Sequence, residues 1–412
     1  MNAYVQSLNL MEFRIWHENS MTSEFRVRIL KTLPEIEEIR PIWGSWPGHR
    51  DSDIDMFSAV VASNPETLRP HVIVAYRDGR PDAILIGRID LTTQLLRHLR
   101  VGYWLMPSPR VRLLTFVIGA QRGNSSPEVS ELLLREAVAS LRRGEADLAR
   151  LEYLEVGTPL YRLARSLPGI LGRDHCVLPQ PHWYMELSGT YEEVFSKRLS
   201  TSLRWEFRRK AKGIQAAFSS VVVRCFEKPE DLETLMHDVE SIAAKSYQRG
   251  LGVGFDNSEE TRNRLLWQLR KGWLLAYVLY LDGKAVAFWI GTLYQRVFYG
   301  EFIGFDPAYS KYSPGTFLEA KGLEDLCARQ AASFDIGLGD AQYKARLGTT
   351  CREEATVYFY APTLFGAALS LLITLMGLAK RTSRALATRS GLSLKMKKVW
   401  RGKKTASPVV AR

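Results

Sequence analysis

One pattern occurs twice in this chain at a constant offset, and that repetition constrains the fold more than any composition figure. Asp78, Gly79, Ala83, Ile86 and Gly87 return as Asp282, Gly283, Ala287, Ile290 and Gly291, each 204 residues later. Both copies read as a hairpin: an extended apolar run (His71 to Tyr76, Trp273 to Tyr280), an Asp-Gly turn, and a second run that ends on glycine. Asp-Gly turns are common, so one match alone carries little. A second pair keeps the same order, however. Ile118-Gly119 precedes Ser126-Pro127-Glu128 and a helical stretch, as Ile303-Gly304 precedes Ser313-Pro314-Gly315 and its helix. The expectation is two related α/β halves in tandem, for which 412 residues are ample.

The chemistry-bearing residues sit in the second copy. Val297, Tyr299, Glu301, Ile303 and Phe305 share one face by the two-residue period of a strand, which places Glu301 among apolar neighbours. Such a face raises a carboxylate pKa, so Glu301 is a candidate general base; its structural alternative is an ion pair with an arginine. Asp306-Pro307 stops the strand, Ser310 to Pro314 forms a loop, and Gly315 opens a helix with the apolar stripe Phe317, Leu323, Leu326, Cys327 and Ala331. Backbone N–H groups at such a helix start, with Lys311 close by, can receive an anion such as a pyrophosphate. Neither a G-x-G-x-x-G fingerprint nor a lysine-serine phosphate loop is present. In the first copy Glu128 stands where the second has Gly315, and a carboxylate opposes an anion there. Donor binding is therefore expected in the second half, with scaffold or acceptor duties left to the first.

The C-terminal half resembles the GNAT acyltransferase superfamily, in particular the bacterial acetyltransferases associated with cellulose biosynthesis, which are relatives of the Fem-type peptidoglycan aminoacyltransferases. Tyr309-Ser310-Lys311-Tyr312-Ser313-Pro314-Gly315, Phe334-Asp335-Ile336-Gly337 and Tyr343-Lys344 carry the resemblance, which is clear over 190–360 and fainter over 24–185. It implies an N-acyltransferase that takes acetyl-CoA or another acyl-CoA as co-substrate and an amine-bearing acceptor among small molecules, sugars or cell-envelope precursors. The donor pyrophosphate would then meet Ser310, Lys311, Tyr312, Ser313, Gly315 and Thr316. Glu301 would act as base, and Tyr343 would protonate the leaving sulfur. Asp335, Asp340 and Lys344 would orient the acceptor. Arg204 and Arg208, one turn apart in a basic helical stretch over 191–217, either form a solvated face or meet an anionic acceptor. No step requires a metal. The general superfamily loop has an arginine or glutamine and two small residues; Ser310, Ser313 and Gly315 depart from it and agree with the subfamily. Two rival functions remain: a tRNA-dependent Fem-type aminoacyltransferase, whose usual coiled-coil arm is not evident, and a non-catalytic membrane-associated scaffold of polysaccharide biosynthesis.

The formal charge of +12 invites a nucleic-acid reading. Residues 380–412, however, hold eleven Lys or Arg and no Asp or Glu, which leaves 45 basic against 44 acidic groups in residues 1–379. Basicity belongs to the tail, and nucleic acid is not an expected partner. Cys176, Cys225, Cys327 and Cys351 have no metal-like spacing, and the histidines are scattered, so no metal site is expected. The cysteines suit a reducing cytoplasm, and Met1 to His17 lacks the charged and apolar regions of a signal peptide. Residues 363–379 are uncharged and mostly apolar and lead into the basic tail. A single crossing, a helix in the interface and a helix buried in a partner all stay open. Acyl-CoA chemistry favours a cytoplasmic protein attached to the anionic inner face of the cell membrane. The expected organisation is a flexible N-terminus (1–23), an N-terminal GNAT-like domain (24–187), a C-terminal GNAT acyltransferase domain (188–362), and an apolar helix with a basic tail (363–412). The fold class is thus α/β, tandem GNAT-like mixed-sheet halves.

Overall fold

The computed structural model describes residues 25–93, 95, 109–246, 249, 254–340 and 342–389. The sequence-expected flexible segment 1–23, most of the glycine-rich loop 247–255, and the tail beyond 389 lie outside the described residues. The chain divides into two compact units, one built from residues up to Pro179 together with those from Glu354 on, the other from Gln180–Glu353.

The first unit begins with β1 (Phe25–Leu30), α1 (Leu33–Glu37), α2 (Arg40–Ser45), α3 (Ile54–Ser63), β2 (Thr67–Pro70), β3 (Val72–Arg77) and β4 (Arg80–Thr92). It continues through β5 (Val111–Gly123), α4 (Pro127–Arg142), β6 (Leu148–Glu155) and α5 (Pro159–Ser166). The strands run β1-β3-β4-β5-β6, with β2 on β4. Neighbours are antiparallel up to β5, and β5–β6 is parallel because α4 makes the crossover. Asp78 and Gly79 have φ of +50° and +77°, the two positive values of a type I′ hairpin turn. The repeated Gly87 has its own reason: a Cβ there would stand 2.8 Å from the Phe116 ring on the neighbouring strand.

The second unit comprises β7 (Gln180–Glu186), α6 (Tyr191–Glu193), α7 (Thr201–Ala217), β8 (Val221–Phe226), α8 (Leu232–Ala243) and α9 (Glu259–Arg270). After these come β9 (Leu274–Leu281), β10 (Lys284–Tyr294), β11 (Val297–Phe305), α10 (Pro314–Ala328), β12 (Ser333–Leu338) and α11 (Gln342–Leu347). The sheet runs β8-β9-β10-β11-β12-β7, again antiparallel except for the parallel pair β11–β12 that α10 connects. Asp282 and Gly283 repeat the turn, with φ of +45° and +79°. On one face Phe207 and Ile214 of α7 and Phe317 and Leu323 of α10 pack with Trp289, Phe298 and Phe334. On the other, Leu235 and Val239 of α8 and Leu265 and Leu269 of α9 pack with Phe288 and Ile290.

Two elements follow, β13 (Thr350–Tyr360) and α12 (Leu364–Arg389). In chain order β7 follows β6 and β13 follows β12, yet the pairing is reversed: β13 lies antiparallel on β6, and β7 antiparallel on β12. Each unit thus closes the same strand order with a strand that the sequence places after the other unit's core. Leu369, Ile373 and Met376 of α12 pack on Val111, Leu113 and Leu148 of the first unit. Among the described residues no helix is long and apolar enough to cross a membrane.

Candidate active site

The start of α10 is built by a chain of local constraints. Asp306 ends β11, and its carboxylate accepts the Ala308 N–H at 3.0 Å and pairs with Lys245 at 2.8 Å. A tight helical turn over Pro307–Tyr312 follows, anchored by the edge-on contact of Tyr312 with Phe218. Ser313 then takes left-handed backbone angles, φ +55° and ψ +54°, and Pro314 starts the helix. In that conformation the Ser313 hydroxyl does not cap the helix; its carbonyl accepts from Thr316 and Phe317 at 3.1 and 3.3 Å. The helix end is left open, and Gly315 contributes an amide with no intrahelical acceptor. A Cβ on Gly315 would meet only Phe305, at 3.7 Å, so the space above it is unobstructed.

Charge gathers at the same helix end. Lys210 of α7 reaches the Thr316 hydroxyl at 3.3 Å and pairs with Glu206, which also pairs with Arg346. The hydrogen bonds from Lys210 and Arg346 hold the Glu206 carboxyl down at about 2. One turn further, burial pushes the Glu319 carboxyl up to about 7 against the pull of Lys210. In the sequence Lys210 is one member of the basic stretch over 191–217, and its helical spacing from Glu206 is the signal that it points at a specific partner. Ser310 and Lys311 are exposed, with the Lys311 amine over the Tyr312 ring at 4.7 Å. Arg204 donates to the Thr201 hydroxyl at 3.0 Å, and Arg208 is exposed over the Phe195 ring.

Glu301 is not placed as simple alternation predicts. The β10–β11 register passes from Ile290↔Phe302 to Gly291↔Gly300, so Glu301 is the extra residue of a bulge. The bulge resets the alternation: Phe305 packs with the α7/α10 face, while Glu301 turns to α9. Nor are its neighbours apolar. Its carboxylate accepts from Gln268 Nε2 at 2.9 Å and Thr292 Oγ1 at 2.6 Å and lies 3.4 Å from the Arg264 guanidinium. The arginine pair weighed as the structural alternative is therefore present, and it locks the carboxylate in one orientation.

A second polar cluster flanks the same strand. The β11–β12 ladder pairs Val297 to Tyr299 with Ser333 to Asp335, and its described pairing ends there. Alternation puts Asp335 and Tyr184 opposite Phe334 and Met185, on the face where Glu301 meets α9. His182 Nε2 lies 2.6 Å from the Asp335 carboxylate, both side chains buried, and the Tyr184 hydroxyl lies 3.3 Å from His182 Nδ1. Asp335 also accepts the Gly337 N–H at 2.8 Å. Lys344 donates to the Leu338 carbonyl at 2.8 Å; burial lowers its pKa, against the attraction of Asp335. The structure thus brings Asp335 and Lys344 together and adds His182 and Tyr184, which sequence reasoning passed over among scattered histidines. Only the pairing of β7 with β12 reveals them. Tyr343 is exposed on α11, and Asp340 is exposed just before it. Such a tyrosine–histidine–aspartate chain can hold or pass a proton. No cluster fit to hold a metal occurs among the described residues. A cavity of about 610 Å³ in this unit lies elsewhere, lined by Tyr191, Glu324 and Cys327.

Residues 201–345 match the family model described as an acetyltransferase (GNAT) domain, about a third of the chain. No curated protein is similar to the chain at a significant level. Among solved structures, FemX is 12% identical over 82% of this chain and 98% of its own, with a TM-score of 0.55. The C-terminal domain of a putative lysylphosphatidylglycerol synthetase from Agrobacterium fabrum is 13% identical over 83% of this chain and 96% of its own, with a TM-score of 0.51. At such identities these likenesses speak for the fold alone. The fold is a GNAT-like mixed α/β sheet, occurring twice. Residues 201–345 thus form a genuine GNAT acetyltransferase domain, which supports catalytic acyl-CoA-dependent transferase activity.

Proposed function

We propose that the protein is an N-acyltransferase that moves an acetyl group from acetyl-CoA to an amine of a small-molecule, sugar or cell-envelope precursor, as the resemblance to the cellulose-biosynthesis-associated acetyltransferases implies. The observation that carries this reading is the open start of α10, uncapped at Ser313, unobstructed above Gly315 and flanked by Lys210. Ser310, Lys311, Tyr312, Ser313, Gly315 and Thr316 would surround the donor pyrophosphate, with backbone amides and the positive helix end supplying the attraction.

Transfer needs a neutral amine and a departing thiolate that is protonated as the C–S bond breaks. Glu301, directly or through water, would take the proton of the attacking amine, and Tyr343 would supply one to the sulfur. Gln268, Thr292 and Arg264 aim the Glu301 carboxylate and so keep its geometry constant between turnovers. Asp335, Asp340 and Lys344, with Arg204 and Arg208 for an anionic acceptor, would orient the second substrate; His182 positions Asp335. Peripheral attachment to the inner face of the cell membrane would put envelope precursors within reach.

Calorimetry with acetyl-CoA tests the donor: micromolar-range or weaker binding is expected from the folded protein. Absence of binding across short acyl lengths would move the reading to an aminoacyl-tRNA donor or to a non-catalytic scaffold.

A further inference from the structure

The helix α12 has two apolar stripes. Leu369, Ile373 and Met376 form the buried one. On the opposite side Leu364, Leu371, Leu375 and Leu378 recur at helical spacing and are exposed, Leu364 to 94%. A separate segment extends this surface: Ile170 and Leu171 are exposed to 68% and 77%. Between them an apolar hollow of about 600 Å³ is lined by Val138, Leu141, Pro168, Leu171 and Leu364, with Arg142 among its walls. Scattered exposed leucines need no explanation, but a continuous stripe about 21 Å long, from Leu364 to Leu378 at 1.5 Å per residue, does.

We propose that this surface lies in the plane of an anionic lipid bilayer and does not cross it. Charge selects the occupant. The exposed Arg381 follows the stripe on the same helix, Arg381 and Arg165 both act on Cys176 beside it, and residues 380–412 carry eleven basic and no acidic groups. An apolar face bordered by cations is the pattern of an interfacial helix on anionic headgroups. The buried stripe decides against crossing. A Cβ on Gly377 would stand 2.6 Å from Cys176 Sγ, and one on Gly366 would stand 2.2 Å from the Ala361 carbonyl, so α12 is seated tightly on its own unit. Pulling it into a bilayer would strip Leu113 and Leu148 of their cover.

This proposal deepens the peripheral attachment stated above and is independent of the donor chemistry, so lipid binding and acetyl-CoA binding are measured on the same samples. The full chain is sedimented with vesicles of phosphatidylcholine, and of phosphatidylcholine mixed with phosphatidylglycerol. Binding to the mixed vesicles is expected, weakened by salt, and reduced about tenfold or more by Leu371→Glu with Leu375→Glu, two exposed positions where folding is spared. Leu68→Glu, an exposed leucine elsewhere in the unit, should leave it unchanged. No binding to the mixed vesicles, or binding that the paired change leaves intact, would overturn the proposal. So would a lipid-indifferent dimer that the paired change dissociates, which would give the stripe to a second copy of the chain. Retained acetyl-CoA binding in the paired variant keeps the two questions apart.

Discussion

The two units begin their crossover helices with the same dipeptide and do opposite things with it. Ser126-Pro127 opens α4 in the first unit: Ser126 is extended, with φ −60° and ψ +152°, and its hydroxyl caps the Val129 N–H. Ser313-Pro314 opens α10 in the second: Ser313 is left-handed and its hydroxyl caps nothing. A serine cap is worth about 1 kcal/mol, so the second unit forgoes stability that the first retains, and keeps the helix end available. The same divergence is seen on the strand before the helix. In the first unit the repeated glycine, Gly87, pairs with Phe116, a fully buried core ring; in the second, Gly291 pairs with Gly300, and the bulge beside that pair holds Glu301. One copy spends these positions on packing, the other on polar groups. Among duplicated halves, the site is to be sought where the copy has given up local stability.

The sharpest way to break this contrast is at Glu301. Glu301→Gln keeps the shape that Thr292 and Gln268 hold, and is expected to lower turnover by roughly 10²- to 10⁴-fold with acetyl-CoA affinity unchanged. Thiol release from acetyl-CoA over a panel of amines reads it, and unaltered turnover on the true acceptor would remove the base assignment. Next in size is the leaving-group proton. Tyr343→Phe should slow turnover about 10²-fold and His182→Gln less; the reverse order would transfer the role to the Tyr184–His182–Asp335 chain. Gly315→Glu then imports the first unit's Glu128. Phe305 at 3.7 Å leaves room for the side chain, so the protein should fold while donor affinity falls at least about tenfold. Calorimetry that finds equal affinity would dissolve the distinction between the two helix starts.

The smallest effect is on stability. Glu319 has its folded carboxyl raised to about 7 from an ordinary value of 4.5, so the unfolded chain gives up that proton first. The protonated group's contribution is complete below pH 4.5 and is lost as pH rises through 7. Glu319→Gln should therefore raise the melting temperature at pH 8 by a few degrees and leave it unchanged near pH 4, by thermal unfolding at the two pH values. An equal shift at both would mean that the gain has nothing to do with charge.

Local chemistry was legible in the chain. Two Asp-Gly turns with positive φ and the proline that starts each crossover helix act within a few residues of themselves. They are enough to announce two related halves and to point to the second as the one that differs at its helix start. Three features needed the tertiary structure. The bulge that turns Glu301 away from Phe305 depends on how many residues the partner strand offers opposite it, and strand periodicity alone does not contain that number. The His182–Asp335 contact joins residues 153 apart. The exchange that puts β13 on β6 and β7 on β12 follows no local preference, because antiparallel edges of equal hydrophobicity are equally good partners until the rest of each sheet is in place. What the sequence by itself determined were turns, caps and the periodicity of each segment, whose energies are set by neighbours in the chain. What only the tertiary structure decided was which polar groups share one face of the second sheet and which leucines of α12 remain outside the core, since both depend on contacts that form when distant segments meet.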